Sequence, residues 1–158
     1  MKNSFKVGLG FGVTSGVITT LGLMVGLHSG THSTLAIIGG VLTIAIADAF
    51  SDSLGVHVSK EFENQTTKKE IWEATATTFI SKFIIALLFI FPILLFELPV
   101  AIIVSIIMGL SLLAIFSYII AKAKKVKPLP IILEHVGIAS VVILISQLVG
   151  TMIRNNFI

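Results

Sequence analysis

The sequence predicts an all-α, polytopic membrane protein of five transmembrane helices, and three observations carry that prediction. Hydrophobic residues make up 55% of the 158 positions and charged residues only 12%, with a mean hydropathy of +1.05. A soluble domain cannot cover itself with so few polar groups. Five apolar stretches each supply about 20 residues or more, enough at 1.5 Å per residue to cross a ~30 Å hydrocarbon core. No stretch alternates with period two, which argues against a transmembrane barrel. Residues 1–158 are therefore expected to form a single five-helix transmembrane domain.

The first span, Val7–Leu27, follows Lys2 and Lys6 in the manner of a signal peptide. It runs too long for such a segment and no clear small-residue cleavage site follows, so it is expected to be a retained helix. Within "VGLGFGVTSGVITTLGLMVG", Gly8, Gly12 and Gly16 recur every four residues, and so do Gly22 and Gly26. Small residues at that spacing let helix backbones approach closely in lipid. The Gly8–Gly12–Gly16 face is thus expected to be a packing seam, and the seam of a homodimer. The second span, Leu35–Gly55, carries Asp48 and Asp52. The third, Ala74–Phe96, carries Lys82 about two turns in. The fourth is Val100–Ala121, and the fifth, Leu129–Ile153, opens with Glu134 and His135. The connections "HSGTH", "KEFENQTTKKEIWE", "ELP" and "KAKKVKP" are short.

Charge placement orients the bundle. Lys2 and Lys6 precede the first span. Lys60, Lys68 and Lys69 lie between the second and third, and Lys122, Lys124, Lys125 and Lys127 between the fourth and fifth. The other two connections hold no Lys or Arg, and only Arg154 opposes the bias. The positive-inside rule places the N-terminus in the cytosol and the C-terminus outside.

Depth then singles out the carboxylates. Counted from Leu35, Asp48 lies roughly 20 Å and Asp52 roughly 26 Å into the membrane, in its cytosolic third. Their i,i+4 spacing puts them on one helical face, continued by Gly55 and Ser59. Ionised carboxylates facing lipid are costly, so this face must look into protein or water. Two such groups can bind a divalent cation through oxygen. Without the cation, their mutual repulsion lets the pair hold a proton. Binding metal expels that proton, which is the kernel of metal/proton exchange. Thr14 and Ser15 of the first span are possible oxygen neighbours, with Ser15 on the outer side of Asp48. Asp48 and Lys82 form the alternative, a structural ion pair.

The remaining polar residues carry less. Lys82 is expected to snorkel to the cytosolic surface, or else to neutralise Asp48 when no metal is bound. Glu134 is either a dipole-favoured first-turn residue or part of the cytosolic mouth. His57 shares a face with Glu61 rather than with the aspartates. His28 and His32 form a metal-binding HxxxH pair only if the outer loop is helical, and Gly30 between them favours a loop. Glu61, Glu63, Glu70 and Glu73 alternate with lysines as a solvated face. The chain has no cysteine, which excludes disulfides and thiolate chemistry. No Ser-His-Asp set, H-E-x-x-H or phosphate loop appears, so an enzyme is not expected. The net charge of +3 does not point to nucleic acid in so apolar a chain.

Two stretches, "GFGVTSGVITTLGLMVGL" and "AIADAFSDSLGVHVSKE", together resemble the vacuolar iron transporter family. Its first helix has a D-G-I-V-T-T-like core, matched here by Ser15-Gly16-Val17-Ile18-Thr19-Thr20. Its second helix ends in a pattern like A-x-S-M-A-x-G-E-Y-x-S, matched by Ala49 to Ser59. Pieces of the later spans, such as "ILEHVGIA", follow in the same order. The resemblance implies a homodimer that moves Fe²⁺ or Mn²⁺ out of the cytosol while protons move the other way, along a path lined by the first two helices. It implies no permanently bound cofactor. The membrane would be the cell membrane in a prokaryote or a vacuole-type membrane in a eukaryote. Here Ser15 stands at the family's aspartate, Asp52 at its methionine and Val56 at its glutamate, and the cytosolic metal-binding insertion is absent. Asp48 and Asp52 would replace the acidic positions, and an all-oxygen site favours Mn²⁺ or another hard cation. Three functions follow: a metal exporter driven by protons, a transporter of another substrate on the same fold, or a non-transporting membrane interaction subunit.

Overall fold

The computed structural model describes residues 3–157; Lys2, one of the orienting lysines, lies outside the described residues. The elements are α1 (Asn3–Thr31), α2 (Thr34–Glu61), α3 (Lys68–Leu88), α4 (Ile90–Leu95), α5 (Leu98–Ala123) and α6 (Pro128–Phe157), with no strand among the described residues. Helices α3 and α4 together form one apolar span, so five spans are long and apolar enough to cross a membrane. The chain is a multi-pass membrane protein.

Pro92 explains why the third span is two helices. It has no N–H to give the Leu88 carbonyl, and its ring crowds that carbonyl. The helix accordingly stops at Leu88, and the Phe89 N–H turns back to Ala86 O at 3.2 Å.

Helix ends differ from the apolar runs because capping, not hydropathy, sets them. Ser33 caps α2 by accepting the Ala36 N–H at 3.2 Å. Thr67 and Glu70 form a capping box that starts α3 at Lys68, six residues before the apolar run at Ala74. Most of the expected loop "HSGTH" is helical too: α1 continues through Gly30 to Thr31, and only His32 and Ser33 separate it from α2.

Helix α1 is the hub, touching α2, α3, α5 and α6. Its glycine face runs parallel to α3. A Cβ on Gly8 would overlap the Ala74 carbonyl; on Gly12 it would overlap Ser81 Oγ and come within 2.7 Å of the Thr78 carbonyl oxygen; on Gly16 it would meet Ile85. The expected packing seam is therefore real but lies inside the chain. With α3 seated on it, Gly8, Gly12 and Gly16 are buried and closed to a second copy. Past Gly16 the glycines turn toward α6, where Gly22 and Gly26 meet Val142 and Ser146 and Gly30 meets Gly150. Helix α5 presents a buried stripe at four-residue spacing, Ala101, Ser105, Gly109, Leu113, Ser117 and Ala121, small except at Leu113. Large apolar side chains such as Phe91, Ile107, Leu144 and Leu148 point outward, as lipid contact requires.

Helix α2 is the least covered part of the inner bundle. Its buried stripe, Ile37, Val41, Ala45, Ala49, Ser53 and Val56, is one residue wide. Beside it runs a second stripe, Gly39, Thr43, Ala47, Ser51, Gly55 and Ser59, at uniform four-residue spacing and wholly exposed. A Cβ on Gly39 or Gly55 would meet nothing within 4 Å.

Candidate functional site

Three helices meet around one ammonium group. Lys82 of α3 is 1% exposed. Its Nζ lies 2.6 Å from Asp48 Oδ2, in closer contact still with Asp52 Oδ2, and donates to Ser15 Oγ at 2.9 Å. Ser15 in turn donates to Asp52 Oδ2 at 2.6 Å. Gly12 and Gly16 make the cluster possible: without side chains, α1 comes close enough to α3 for Ser15 to reach Lys82. The i,i+4 step on α2 aims both carboxylates at the same point.

The sequence expectation for Lys82 is corrected in part. The side chain does not snorkel; it is the counter-ion, and of both aspartates. Its ammonium is held by both carboxylates inside the bundle and the residue is 1% exposed, so it does not reach solvent.

Ser15 also sits differently from its expected depth. It pairs with Asp52 rather than lying beyond Asp48, because the packing of α1 against α2 brings those two residues level. Nor is Asp52 the more peripheral carboxylate: its side chain is 21% exposed against 29% for Asp48, and it holds two partners.

Two expected neighbours are not brought in. The Thr14 hydroxyl is spent on the Gly10 carbonyl of its own helix. Glu134 is exposed on α6, which packs against α1 and α5. Among the described residues no three of His, Cys, Asp and Glu gather as a metal-binding group. The oxygens available to a cation are those of Asp48, Asp52 and Ser15, all hard donors.

The other polar residues serve packing. His57 Nδ1 and Thr75 Oγ1 are 3.0 Å apart across α2 and α3, and Nε2 lies 3.5 Å from Glu61. His135 Nδ1 and Ser117 Oγ, 2.8 Å apart, tie α6 to α5. Glu73 is not simply solvated, since it accepts the Ser4 hydroxyl. His28 is helical after all, with its ring 5.0 Å from that of His32, but Arg154 contacts His32 Nε2 and puts a cation where a metal would have to bind.

A groove of about 520 Å³ reaches Asp52 from the side. Val7 and Phe11 of α1 form one wall, Ser51, Gly55 and Ser59 of α2 the other. At the C-terminal end of α2 it is bordered by Lys60 and Glu63, an ion pair at 2.7 Å. The groove lies between the first two helices, beside the aspartate face that Gly55 and Ser59 continue; its α1 wall, Val7 and Phe11, is apolar and carries no signal in the sequence.

Comparison with protein-family models, with characterised proteins and with solved structures finds no match to this chain.

Proposed function

We propose that this protein moves a divalent cation of the Fe²⁺ or Mn²⁺ type out of the cytosol in exchange for protons. One observation carries the proposal: a nearly inaccessible ammonium group is held by two carboxylates and a hydroxyl inside a bundle of apolar helices. That is the environment of a desolvated cation. Charged groups at membrane depth are costly and face pathways when they are kept. The two carboxylates and the ammonium sum to a formal charge of −1, so the pair alone offers −2, the charge that neutralises a divalent ion.

In this scheme the arriving cation takes oxygens from Asp48, Asp52 and Ser15, and Lys82 withdraws. When the metal leaves, protons and Lys82 neutralise the pair again. Three oxygen donors suit Mn²⁺ better than a metal that seeks sulfur. The groove beside Asp52 is the approach, and the lysine asymmetry orients its Lys60 end to the cytosol. A homodimer is part of the proposal, but through α2: the exposed stripe from Gly39 to Ser59 has the small-residue spacing that close helix pairs use in membranes. A second copy there would roof the groove.

The test is reconstitution into vesicles with a trapped pH dye, with Fe²⁺, Mn²⁺, Co²⁺ or Ca²⁺ added outside. Metal-dependent proton flux that Asp52→Asn abolishes supports the proposal. A second reading, that the cluster is a fixed clamp in a non-transporting interaction subunit, is favoured by Lys82 already having three oxygen partners. Absence of flux with every metal, together with loss of stability in Asp52→Asn, would select it.

A further inference from the structure

We infer that the groove between α2 and α3 is a binding site for an anionic phospholipid, and this inference is independent of the transport proposal. The groove is the larger of the two on α2, about 760 Å³, within the ~300–1,000 Å³ range of specific small-molecule sites. Its walls are Phe50, Leu54 and His57 on α2 and Trp72, Phe79 and Ile80 on α3.

Apart from Ser51 and His57, its polar groups are satisfied within their own helices. Ser53 donates to the Phe50 carbonyl at 2.9 Å and Thr75 to the Ile71 carbonyl at 2.8 Å. Phe50 and Phe79 meet across the floor with ring centroids 4.6 Å apart. The surface left is apolar and concave, and suits an acyl chain.

The mouth is what makes it selective. Trp72 stands four residues, about 6 Å, into α3, exposed just before the apolar run that starts at Ala74, and tryptophan is enriched at membrane–water boundaries. It is held upright by His57, whose ring meets it edge-on at 4.8 Å. Lys68 and Lys69 precede Trp72 by four and three residues, so they lie on the same face of α3 as the groove wall. Both are exposed. Across the mouth stands Glu61, 3.5 Å from His57. With Glu73 engaged by Ser4 of α1, two ammonium groups against one carboxylate leave a net positive mouth above an apolar groove. A lipid phosphate at Lys68 and Lys69, with a chain running down past Phe79, satisfies both parts. A zwitterionic headgroup gains less, because its own cation meets the lysines as well.

Trp72 is the only tryptophan in the chain, so its fluorescence reports on this groove alone. The experiment places the whole protein in phosphatidylcholine vesicles containing increasing fractions of phosphatidylglycerol brominated on its acyl chains. A parallel series uses brominated phosphatidylcholine. At equal fractions the anionic lipid should quench Trp72 with about fivefold higher apparent affinity, the effect of one net charge at a membrane surface. Lys68→Gln with Lys69→Gln should remove the preference, whereas Lys124→Gln with Lys125→Gln should leave it intact. Equal quenching by the two lipids would overturn the inference, since the groove would then hold ordinary boundary lipid. Weak quenching by both would overturn it too, because a second copy or another protein would then be covering Trp72.

Discussion

Ser15 and Asp52, 37 positions apart in the sequence, are joined by a 2.6 Å hydrogen bond from the hydroxyl to the carboxylate. The same hydroxyl accepts from Lys82. Ser15 therefore relays between the two charges, and Asp52 gains a partner that Asp48 lacks. The two aspartates look equivalent in sequence, but the structure makes them unequal.

Removing the Asp52 charge should therefore cost more than removing that of Asp48. Asp52→Asn weakens a charged contact to Lys82 and the bond from Ser15, a loss of about 3 kcal/mol, while Asp48→Asn should lose about 1–2 kcal/mol. Thermal unfolding in detergent gives the order. Equal shifts, or a larger one for Asp48→Asn, would contradict the inequality.

Lys82→Met leaves two carboxylates facing one another without a cation. Breaking a buried ion pair in this way costs about 3–5 kcal/mol. If the site takes a divalent cation, Mn²⁺ should restore much of the lost thermal stability in the variant and do less for the natural protein. A variant whose melting temperature ignores Mn²⁺ would count against metal binding at this point.

The glycines separate into those that are filled against and those that are free. Gly12→Ala should destabilise, since a Cβ there has no room beside Ser81 and Thr78. Gly10→Ala should be neutral or stabilising by up to about 1 kcal/mol, because nothing lies within 4 Å and alanine favours the helix. If two copies pair through α2 as proposed, Gly55→Leu should leave the melting of the monomer unchanged and abolish that pairing. Light scattering or cross-linking in detergent reads the second effect; a dimer that tolerates Gly55→Leu does not use the α2 stripe.

Five spans alternating in direction put the two chain ends on opposite faces. Cysteines introduced at Asn3 and Asn156, both exposed, should react with an impermeant maleimide from opposite sides, the one at Asn3 only from the cytosol. Labelling of both from one side would refute the arrangement.

The number of spans was legible from composition, because burying backbone in lipid permits little besides apolar helices. The close packing of Gly8, Gly12 and Gly16 was legible too, but not its partner: four-residue spacing shows that something approaches closely and does not say whether it is α3 or another copy. The aspartate pair was legible from depth and period. Its company was not, because Lys82 and Ser15 come from other helices, and their levels depend on where those helices start. The start of α3 is set by the Thr67–Glu70 capping box, a polar feature that hydropathy passes over. Thr14 was a reasonable oxygen donor by position, yet a hydroxyl on a helix in lipid can satisfy itself on the carbonyl four residues back, as Thr14 does with Gly10.

The break at Phe89 bears on how such a bundle could change shape. The third span is a long segment holding Lys82 and a short one ending at Leu95, joined where Pro92 forbids a hydrogen bond. The short segment is cut off from the hydrogen-bond ladder of the long one and packs instead against α5 and α2. The joint is itself pinned, because Phe89 is fully buried and its ring packs beside Gly109 of α5. Any swing of α4 must therefore be geared to a displacement of α5, and the end of the bundle remote from the lysines would move as one unit.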